Sequence, residues 1–523
     1  MPDRTGTVPR IAEYLEREVK FSVPTTFVLP DDVTGDHHSR YDGRRMLRAT
    51  YYDTEDLRLA RNGITLRYRT GEGQPVWTLK VPATSGVSNE RIERSVPGPA
   101  EPVAPALASL VLAHTRFAPL IEVARLTTRR DAWLLLDTDG AVAAELVDDA
   151  VSVVKAGRVS SRFREIEIEH KGQPGADETE PPVAQAVRSL TAAGATPGGF
   201  SSKLGRALGP RASAPPEVPA PARVGKHDLA GATIARLVRS GVRRLISLDI
   251  GVRLGKDDAV HQMRVACRRL RSDLRTFVDL FEPGSTDELR AELAWLADSL
   301  GAARDLEVLR VRLVKTAASD PLAPLDDDVF RRLDEVFQAD ERTALEQVGN
   351  ALGSERYLRL LDLAVRTAQE PRLTDAARYP AREVFPLLLA RCVAELDKTV
   401  RKLSTEASDA TWHAARIRAK RARYAAEATV DVLGKKARRT ASAMADVQGV
   451  LGDHQDAAVA AETLVAIAHR SPQDVELVLL CGRLAERERA SIGLTRRRFP
   501  PAWKNACSPA ARGWLPTARS RKG

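Results

Sequence analysis

The stretch HQMRVACRRLR at residues 261–271 returns as HAARIRAKRAR at residues 413–423. A second signature follows each copy at a similar distance, LGAARD at residues 300–305 and LGDHQD at residues 451–456. At about 100° per residue of an α-helix, each copy places its histidine and three cations within an arc of roughly 80°. These side chains are His261, Arg264, Arg268 and Arg271 in the first copy and His413, Arg416, Lys420 and Arg423 in the second. One cationic stripe is usually a solvated helix face, but such a face has no reason to keep both features in register. The sequence therefore predicts a duplicated helical unit.

Composition places the chain among globular proteins with several domains. Its 523 residues are too many for one core, and 43% are hydrophobic while 29% are charged. The net charge of +10 favours a polyanionic partner, but an aromatic content of 5% is low for stacking nucleic-acid bases. We find no run of about 18 apolar residues and no signal-peptide pattern, and we expect a cytoplasmic protein. The four cysteines form no Cys-x-x-Cys pair, so neither a zinc site nor a disulfide framework is indicated.

Charged residues alternate along the strand-like segments of the first 208 residues. Glu16, Glu18 and Lys20 would share one face of a strand, and residues 165–169 (EIEIE) separate three carboxylates from two isoleucines. Alternating charge is also common on the solvated face of a sheet. Eight strand-like runs are expected, at residues 14–23, 47–54, 62–70, 75–82, 89–97, 121–136, 141–155 and 161–171.

Eight antiparallel strands can form a barrel that holds one small ligand. The isoleucines and valines would then pack outward against helices near residues 103–116 and 182–194. A lumen rich in arginine and lysine implies an anion, because such a lumen repels itself when empty. Carboxylates in the same lumen imply a hard divalent cation, Mg²⁺ or Mn²⁺. The pattern therefore predicts a metal and phosphate site.

The order of these motifs resembles the CYTH domain of the triphosphate tunnel metalloenzymes over residues 11–208. The resemblance rests on Glu16-x-Glu18-x-Lys20, Arg67-x-Arg69, Lys80, Glu165-x-Glu167-x-Glu169 and Ser202-Lys203. It implies an eight-stranded antiparallel tunnel that binds triphosphate through basic residues and a divalent metal through glutamates. The family includes inorganic triphosphatases, thiamine triphosphatases and class IV adenylyl cyclases.

The resemblance assigns roles to individual residues. The implied metal ligands are Glu16, Glu18, Glu167 and Glu169, with Glu165 as a further candidate. The implied phosphate contacts are Lys20, Arg67, Arg69, Lys80, Arg91, Arg125, Arg130 and Lys203. The catalytic set is completed by Glu93, which would orient the site, and by Asp148, with Asp149 as its alternative. Arg125 and Arg130 differ in parity, so their joint use needs a β-bulge, and Arg129 remains a rival.

Residues 209–223 are rich in proline and predict a stiff, extended linker. From residue 224 to about 500 the pattern is helical, with about four helices in each of two repeats, 226–370 and 378–500. The duplication predicts two four-helix bundles packed as a pseudo-symmetric pair. Residues 501–523 are expected to form a disordered basic tail.

The doubled histidine motif and its paired signatures resemble the CHAD domain, the conserved histidine α-helical domain, over about residues 226–500. The family is a duplicated helical bundle that binds inorganic polyphosphate and often follows a CYTH domain. The resemblance makes the eight stripe residues polyphosphate ligands. We expect Asp305 and Asp456 to orient arginines, and we expect His261 and His413 to bind the polymer more tightly when protonated. Alternatively, both histidines are buried and stay neutral.

The sequence thus predicts a multidomain α+β protein with an N-terminal eight-stranded antiparallel β-barrel tunnel and C-terminal duplicated four-helix bundles. The predicted function is a triphosphatase, dependent on Mg²⁺ or Mn²⁺, that acts on inorganic triphosphate or a related triphosphate and is joined to a polyphosphate-binding module. One alternative is a class IV-type adenylyl cyclase, for which we find no convincing aromatic pair. The other is a non-catalytic polyphosphate-binding or sensing protein, against which the complete carboxylate set argues. We expect no membrane or nucleic-acid partner, and a cytoplasmic location with association with polyphosphate granules.

Overall fold

A computed structural model describes residues 12–31, 33–34, 38–82, 90–171, 181–198, 202–318 and 327–516. The chain divides into two compact units, residues 1–217 and residues 218–523. Among the helices described, none is both long enough and apolar enough to cross a bilayer.

The first unit is built on an antiparallel sheet of nine strands. They are β1 (Ala12–Val23), β2 (Ser39–Asp53), β3 (Thr65–Thr70), β4 (Val76–Pro82), β5 (Glu90–Pro97), β6 (Ile121–Leu136), β7 (Val142–Lys155), β8 (Arg158–His170) and β9 (Thr196–Pro197). The predicted eight are all present, and the two-residue β9 is an addition that pairs with β1. Strand β2 begins eight residues earlier than predicted, because its first half (SRYDGRR) lacks apolar alternation and is defined by pairing with β6.

The strands follow the order β5-β4-β3-β2-β6-β7-β8-β1-β9. The first half of β1 also pairs with β5, from Ala12 opposite Ser95 to Arg17 opposite Glu90. Its second half pairs with β8, from Glu18 opposite Glu169 to Val23 opposite Arg164. Strand β1 therefore joins the two ends of the strand order, and side chains alternate between an enclosed face and an outer face.

Five short helices accompany the sheet: α1 (Arg58–Arg61), α2 (Pro105–Leu110), α3 (Leu112–Thr115), α4 (Pro181–Ala192) and α5 (Lys203–Leu208). Helix α4 packs its apolar side on the outer face of the sheet, where Ile166 and Ile168 meet Val183 and Leu190. This confirms that the isoleucines of the EIEIE run point outward, so the carboxylates between them point inward.

The proline-rich linker is not the isolated spacer that its composition predicts. It begins with a 3₁₀-helix at Gly209–Arg211, and the carbonyl of Pro215 accepts a hydrogen bond from Arg61. Both carboxylate oxygens of Glu217 accept hydrogen bonds from Arg116, at 2.6 and 2.7 Å. Residues 209–217 therefore belong to the first unit, and we expect an independently folding fragment to need them.

We expect Glu217→Gln to lower the free energy of unfolding of the first unit by about 3 kcal/mol, because it removes the carboxylate charge that accepts two hydrogen bonds from the buried Arg116 guanidinium. The Arg116 side chain is only 2% exposed. Chemical denaturation of the full chain measures the effect, and Glu55→Gln, an exposed position, is the matched control. Equal loss in both variants, or none in either, would contradict the role of Glu217.

Helices form nearly all of the regular secondary structure in the described residues of the second unit. Its helices are α6 (Ala230–Arg253), α7 (Ala259–Thr276), α8 (Asp287–Ser299), α9 (Gly301–Ala318), α10 (Asp327–Gly353), α11 (Glu355–Gln369), α12 (Ala381–Val400), α13 (Asp409–Ala428), α14 (Val430–Leu433), α15 (Lys435–Arg470), α16 (Val475–Ala506) and α17 (Pro509–Arg512). Short 3₁₀-helices lie at Val278–Leu280 and Asp375–Arg378.

The two repeats have the same order of helices, but the helices are interrupted at different positions. Helices α6 and α7 correspond to α12 and α13, which carry the second stripe. The first repeat then divides its path into α8 and α9 at Leu300, whereas α15 continues through the equivalent Leu451 without a break. This break adds one helix to the first repeat, in whose described residues six helices (α6 to α11) lie where about four were expected.

The predicted disordered tail is wrong for residues 501–516. Helix α16 continues to Ala506, and both Ala506 and Ala511 are buried in a hydrophobic core formed with α12, α13 and α15. Thr440 donates a hydrogen bond to the carbonyl of Ala511, and Arg512 pairs with Asp397 at 2.7 Å. Apolar contacts that are distant in sequence thus order this segment, while residues 517–523 lie outside the described chain.

Asp273 on α7 is a buried carboxyl group that should make stability depend on pH. It is 6% exposed, and among the described residues its Oδ1 atom finds no hydrogen-bond donor. Burial raises its pKa to about 7, against the attraction of Arg269. Its unfolded pKa is near 3.9, so its contribution to stability is fully present below that pH and is lost as pH rises through 7.

We therefore expect Asp273→Asn to raise the free energy of unfolding at pH 8.5 by about 2 kcal/mol, since the neutral amide avoids ionisation but still lacks a full set of partners. At pH 5 the variant and the wild type should differ little. Scanning calorimetry of the full chain at both pH values tests this, with the exposed Asp287→Asn as control. A gain at pH 8.5 no larger than at pH 5 would show that Asp273 does not titrate as inferred.

Candidate functional site

A cavity of about 310 Å³ lies on the enclosed face of the first unit's sheet. Eleven of the predicted side chains line it: Glu18, Lys20, Arg67, Arg69, Lys80, Arg91, Glu93, Arg130, Glu167, Glu169 and Lys203. They come from six different strands and from the start of α5. Strand alternation therefore brings together cations and carboxylates that are up to 185 residues apart in sequence.

Lys20 links the carboxylates of neighbouring strands. Its Nζ atom lies 2.9 Å from Glu18 and 2.7 Å from Glu167. Burial disfavours the charged amine, but attraction to Glu167 and Glu18 outweighs burial and raises the pKa of Lys20. Lys20 therefore stays an ammonium ion and holds both carboxylates in place.

Lys203 enters the same cluster from the first turn of α5, where Ser202 caps the helix by accepting a hydrogen bond from the Gly205 backbone. Its Nζ atom lies 2.7 to 2.9 Å from carboxylate oxygens of Glu165, Asp149 and Glu167. Burial opposes the charge, yet these carboxylates raise the pKa of Lys203 well above its usual value. The pKa of Glu167 is correspondingly held well below its usual value, against burial, by Lys20 and Lys203.

The opposite side of the cavity carries positive charge in excess. Repulsion from Arg67, followed by burial, lowers the pKa of Arg69. Lys80 lies 3.1 Å from Glu93, and although burial opposes ionisation, Lys80 and Arg67 hold the pKa of Glu93 at about 2. Two neighbouring guanidinium groups that repel one another form a site suited to a bound anion.

Arg130 faces the cavity, but Arg125 does not. The Arg125 side chain is 56% exposed and pairs with Glu122 at 2.7 Å. A bulge does occur in β6, but it lies at Val123, between the pairs Tyr51–Ala124 and Tyr52–Glu122. It therefore precedes Arg125 and leaves the parity of Arg125 and Arg130 opposite. The prediction for Arg125 is wrong, and the rival Arg129 is also exposed.

Asp149, rather than Asp148, belongs to the cavity cluster. Both Asp149 oxygens accept hydrogen bonds from Arg130, at 2.8 and 2.7 Å, and Lys203 lies 2.9 Å away. Asp148 points to the outer face and receives two hydrogen bonds from Arg164. The prediction of Asp148 is therefore corrected by one residue, because β7 alternates without a shift between these positions.

The carboxylates fit a hard cation in part. Glu18 lies directly opposite Glu169 in the β1–β8 register, and like charges at such a position are unfavourable unless a cation lies between them. In the described part of the chain, no three potential ligands come close enough to enclose a metal ion. The side chain of Glu16 lies outside the described part of the structure, whereas its backbone pairs with that of Arg91.

Several lining residues were not predicted, including Tyr14, Glu72, Glu145 and Lys171. Lys171 lies 3.2 Å from Glu145 and 3.0 Å from Glu169. Lys171 extends the alternation of residues 165–169 by one step, and Glu145 has the parity of Asp149. Strand periodicity alone could have found both.

A second cavity, of about 340 Å³, lies within the helical unit and joins the two cationic stripes. Helix α7 contributes His261, Arg264 and Arg268, and helix α13 contributes His413, Arg416 and Lys420. The buried sides of these helices are apolar, for example at Met263, Cys267 and Leu270 of α7. Packing these sides into the cores turns the stripes toward a shared space.

The last member of each stripe lies outside this cavity. Arg271 is exposed, and Arg423 pairs with Glu427 at 3.3 Å. Each stripe is about 15 Å long at the rise of an α-helix, and the cavity reaches only about its first two turns. Arg271 and Arg423 therefore do not line this cavity, and their contact with polyphosphate stays a prediction.

Asp305 holds an arginine as predicted, whereas Asp456 lies near its arginine without a hydrogen bond to it. Arg264 donates to both oxygens of Asp305, at 2.6 and 3.1 Å, and Arg416 lies 3.8 Å from Asp456. The unpredicted Arg304 and Gln455 also line the cavity. They occupy the same position in the two LG signatures, so an alignment of the repeats could have found them.

The two histidines differ in their surroundings. Nδ1 of His413 lies 2.6 Å from the side-chain oxygen of Gln455, to which it donates a hydrogen bond in the neutral tautomer. Burial and then repulsion from Arg304 lower the pKa of His261. The lowered pKa favours the neutral form of His261, and the role of both histidines in binding stays a prediction.

Lys420 is the group in this cavity whose charge is most perturbed. Burial, followed by repulsion from Arg268 and Arg416, lowers its pKa to about 7. Burial and then Arg264 and Arg416 lower the pKa of Arg268 as well. The side chains of this cavity thus carry more positive charge than its carboxylates balance, and such surroundings attract anions.

Comparisons with known proteins match each unit to a domain family. Residues 15–184 match the CYTH domain family, and residues 236–465 match the CHAD domain family. The uncharacterized protein Rv2226 of Mycobacterium tuberculosis is 34% identical over 480 residues, which cover 87% of this chain and 89% of that protein. PptA from Streptomyces chartreusis is 23% identical and covers 53% of this chain and 100% of its own, with a TM-score of 0.46. The CHAD domain of the plant Ricinus communis is 24% identical and covers 54% and 94%, with a TM-score of 0.45.

Proposed function

The chain belongs to the proteins in which a CYTH domain is followed by a CHAD domain, and we propose that the first unit is a triphosphatase that depends on Mg²⁺ or Mn²⁺, while the second binds inorganic polyphosphate. The observation that carries the proposal is the cavity of the first unit, where Arg67, Arg69 and Arg130 face the carboxylates of Glu18, Glu167 and Glu169. Cations alone would suffice for binding an anion. Carboxylates beside them are useful when a metal ion is bound with the anion.

The cavity suits an inorganic triphosphate better than a nucleotide. Its lining is mainly charged, and about 310 Å³ accommodates a compact anion. A purine would need an apolar or aromatic slot beside the phosphates. This favours hydrolysis of inorganic triphosphate over the adenylyl cyclase alternative.

Different residues around the cavity would have different roles in phosphoryl transfer. Mg²⁺ or Mn²⁺ held by Glu18, Glu167 and Glu169, with Glu16, would supply Lewis acidity to the phosphate oxygens. Arg67, Arg69 and Arg91 would donate hydrogen bonds to the equatorial oxygens, where charge is spread in the transition state.

The buried ion pairs would keep these groups in position. Lys20 and Lys203 fix Glu167 between them, and Asp149 holds the guanidinium of Arg130. Such preorganised charges need no rearrangement when the substrate reacts.

The second unit offers a row of donors to a linear polyanion. Arg264 is held by Asp305, and Arg268 and Arg416 lie in the same cavity. A polymer with one charge per phosphate could extend from this cavity along the rest of each stripe. Such binding would also place the protein on cytoplasmic polyphosphate granules.

Phosphate release from inorganic triphosphate, ATP and thiamine triphosphate tests the first unit. We expect release from inorganic triphosphate with Mg²⁺ or Mn²⁺, and none after chelation. Absence of release from all three substrates with either metal would overturn the triphosphatase proposal.

One observation favours the non-catalytic alternative, in which the first unit only binds. Within the described residues no three ligands converge on a metal position, and Lys20 and Lys203 already neutralise Glu167. In that case calorimetry would detect binding of triphosphate without metal and without hydrolysis. Metal-dependent turnover would exclude this alternative.

A further inference from the structure

Lys420 lines a cavity that is also lined by several arginines. It projects from α13 into the cavity that also contains Arg264, Arg268 and Arg416. Two carboxylates line this cavity: Asp305 is bound by Arg264, and Asp456 lies 3.8 Å from Arg416. The charged groups that act most strongly on Lys420 are all arginines, so its surroundings are positive and partly buried.

Such surroundings release the proton of an amine. Burial and then Arg268, Arg416, Arg264 and Arg423 lower the pKa of Lys420 to about 7, whereas an ordinary lysine titrates near 10.4. A large share of Lys420 is therefore a free amine at neutral pH. A free amine is a nucleophile, and an ammonium ion is not.

We propose that Lys420 is a modification site for acyl phosphates, which its arginine neighbours bind through the phosphate group. This rests on the proposed binding of phosphate in the cavity. The Nζ lone pair attacks the acyl carbon, an N–C bond forms, and the C–O bond to phosphate breaks. Inorganic phosphate leaves with the electron pair, and the nitrogen gives one proton to water. The product is an amide on Lys420.

The difference between the two repeats supports this assignment. The first repeat has Arg268 at the position that Lys420 occupies in the second. A guanidinium remains protonated and does not act as a nucleophile in this way, whereas lysine readily changes its pKa when buried. The cavity therefore contains one reactive amine among groups that bind the leaving phosphate.

Acylation would also change the site. In the complex with a polyanion Lys420 is expected to be an ammonium ion, and an amide cannot carry that charge. The modified protein should therefore bind polyphosphate more weakly.

The test uses the full chain with acetyl phosphate at pH 8, and peptide mass spectrometry compares Lys420 with the exposed Lys402. At pH 8 a pKa near 7 gives Lys420 about 200 times more free amine than an ordinary lysine. Each free amine is about thirtyfold less nucleophilic because it is less basic, by analogy with thiols. We therefore expect Lys420 to react at least about fivefold faster, before any gain from phosphate binding. Pyrophosphate should slow Lys420 and leave Lys402 unchanged.

A neutral acetylating ester separates nucleophilicity from phosphate binding. Lys420 should also outpace Lys402 with the ester, but Arg268→Gln should slow Lys420 more toward acetyl phosphate than toward the ester. A Lys420 rate no higher than that of Lys402 with acetyl phosphate, or one that pyrophosphate does not reduce, would overturn the inference. Polyphosphate binding measured on the same protein distinguishes the cases: binding without selective acetylation rejects only the inference, and loss of both rejects the proposed site as well.

Discussion

Glu169→Gln should lower metal-dependent hydrolysis of inorganic triphosphate at least about 100-fold, because a hard-cation site loses one of its few charged oxygen ligands. Glu169 faces Glu18 across the β1–β8 pair, so the amide also removes the like-charge repulsion that the metal would relieve. Because Glu169→Gln also removes the ion pair with Lys171, the two effects on the stability of the metal-free protein oppose one another. Steady-state phosphate release at increasing Mg²⁺ and Mn²⁺ measures the loss, and Glu18→Gln and Glu16→Gln are expected to behave alike.

Glu122→Gln is the matched control, since Glu122 pairs with Arg125 outside the cavity. It should keep nearly full activity. If Glu169→Gln retained wild-type turnover at every metal concentration, the carboxylates of the first cavity would not hold the metal. Partial rescue by high metal concentration would support a ligand role, because a weakened site can still be filled.

Polyphosphate binding by the second unit should weaken as pH rises above 7, with Lys420 as the main cause. The pKa of Lys420 is about 7 in the empty cavity, and a bound polyanion favours the ammonium form and raises that pKa. Binding above pH 7 must therefore take up a proton. Affinity is highest below pH 7, and it falls by up to about 50-fold between pH 7 and 9 if the bound amine titrates near the ordinary value of 10.4.

Lys420→Arg should remove this pH dependence, because arginine stays charged at pH 9. Calorimetry at pH 8 in two buffers of different protonation enthalpy should show uptake of about one proton per site in the wild type and less in the variant. The double variant His261→Gln with His413→Gln is the control, and its fall in affinity between pH 7 and 9 should remain. A wild-type affinity that does not change between pH 7 and 9, or a pH dependence that the histidine variant abolishes, would contradict the role of Lys420.

Several features follow from the sequence because they depend on local geometry. Strand parity alone places Glu18, Lys20, Glu167 and Glu169 on one face, since side chains alternate whatever the neighbouring strands are. Helical periodicity likewise aligns each histidine with its first two cations. The repeat of the stripe and its LG signature was sufficient to indicate a duplicated helical unit.

Other features depended on pairing between distant segments. The parity of Arg125 and Arg130 is decided by where β6 bulges against β2, and the choice of Asp149 over Asp148 by which face of β7 is enclosed. The order of residues 501–516 comes from apolar contacts with helices far away in sequence. None of these features has a local signal in the sequence, because each depends on contacts between two segments that are distant in the chain.

The electrostatic character of the two sites is also a property of the tertiary structure. Lys20 and Lys420 are both lysines in alternating or helical charge patterns, yet neighbouring carboxylates raise the pKa of Lys20 and neighbouring arginines lower that of Lys420. The sequence by itself determined which charged residue types line each cavity. Only the fold decided which charges face one another, because the sign of a pKa shift depends on the groups that packing brings within a few ångströms.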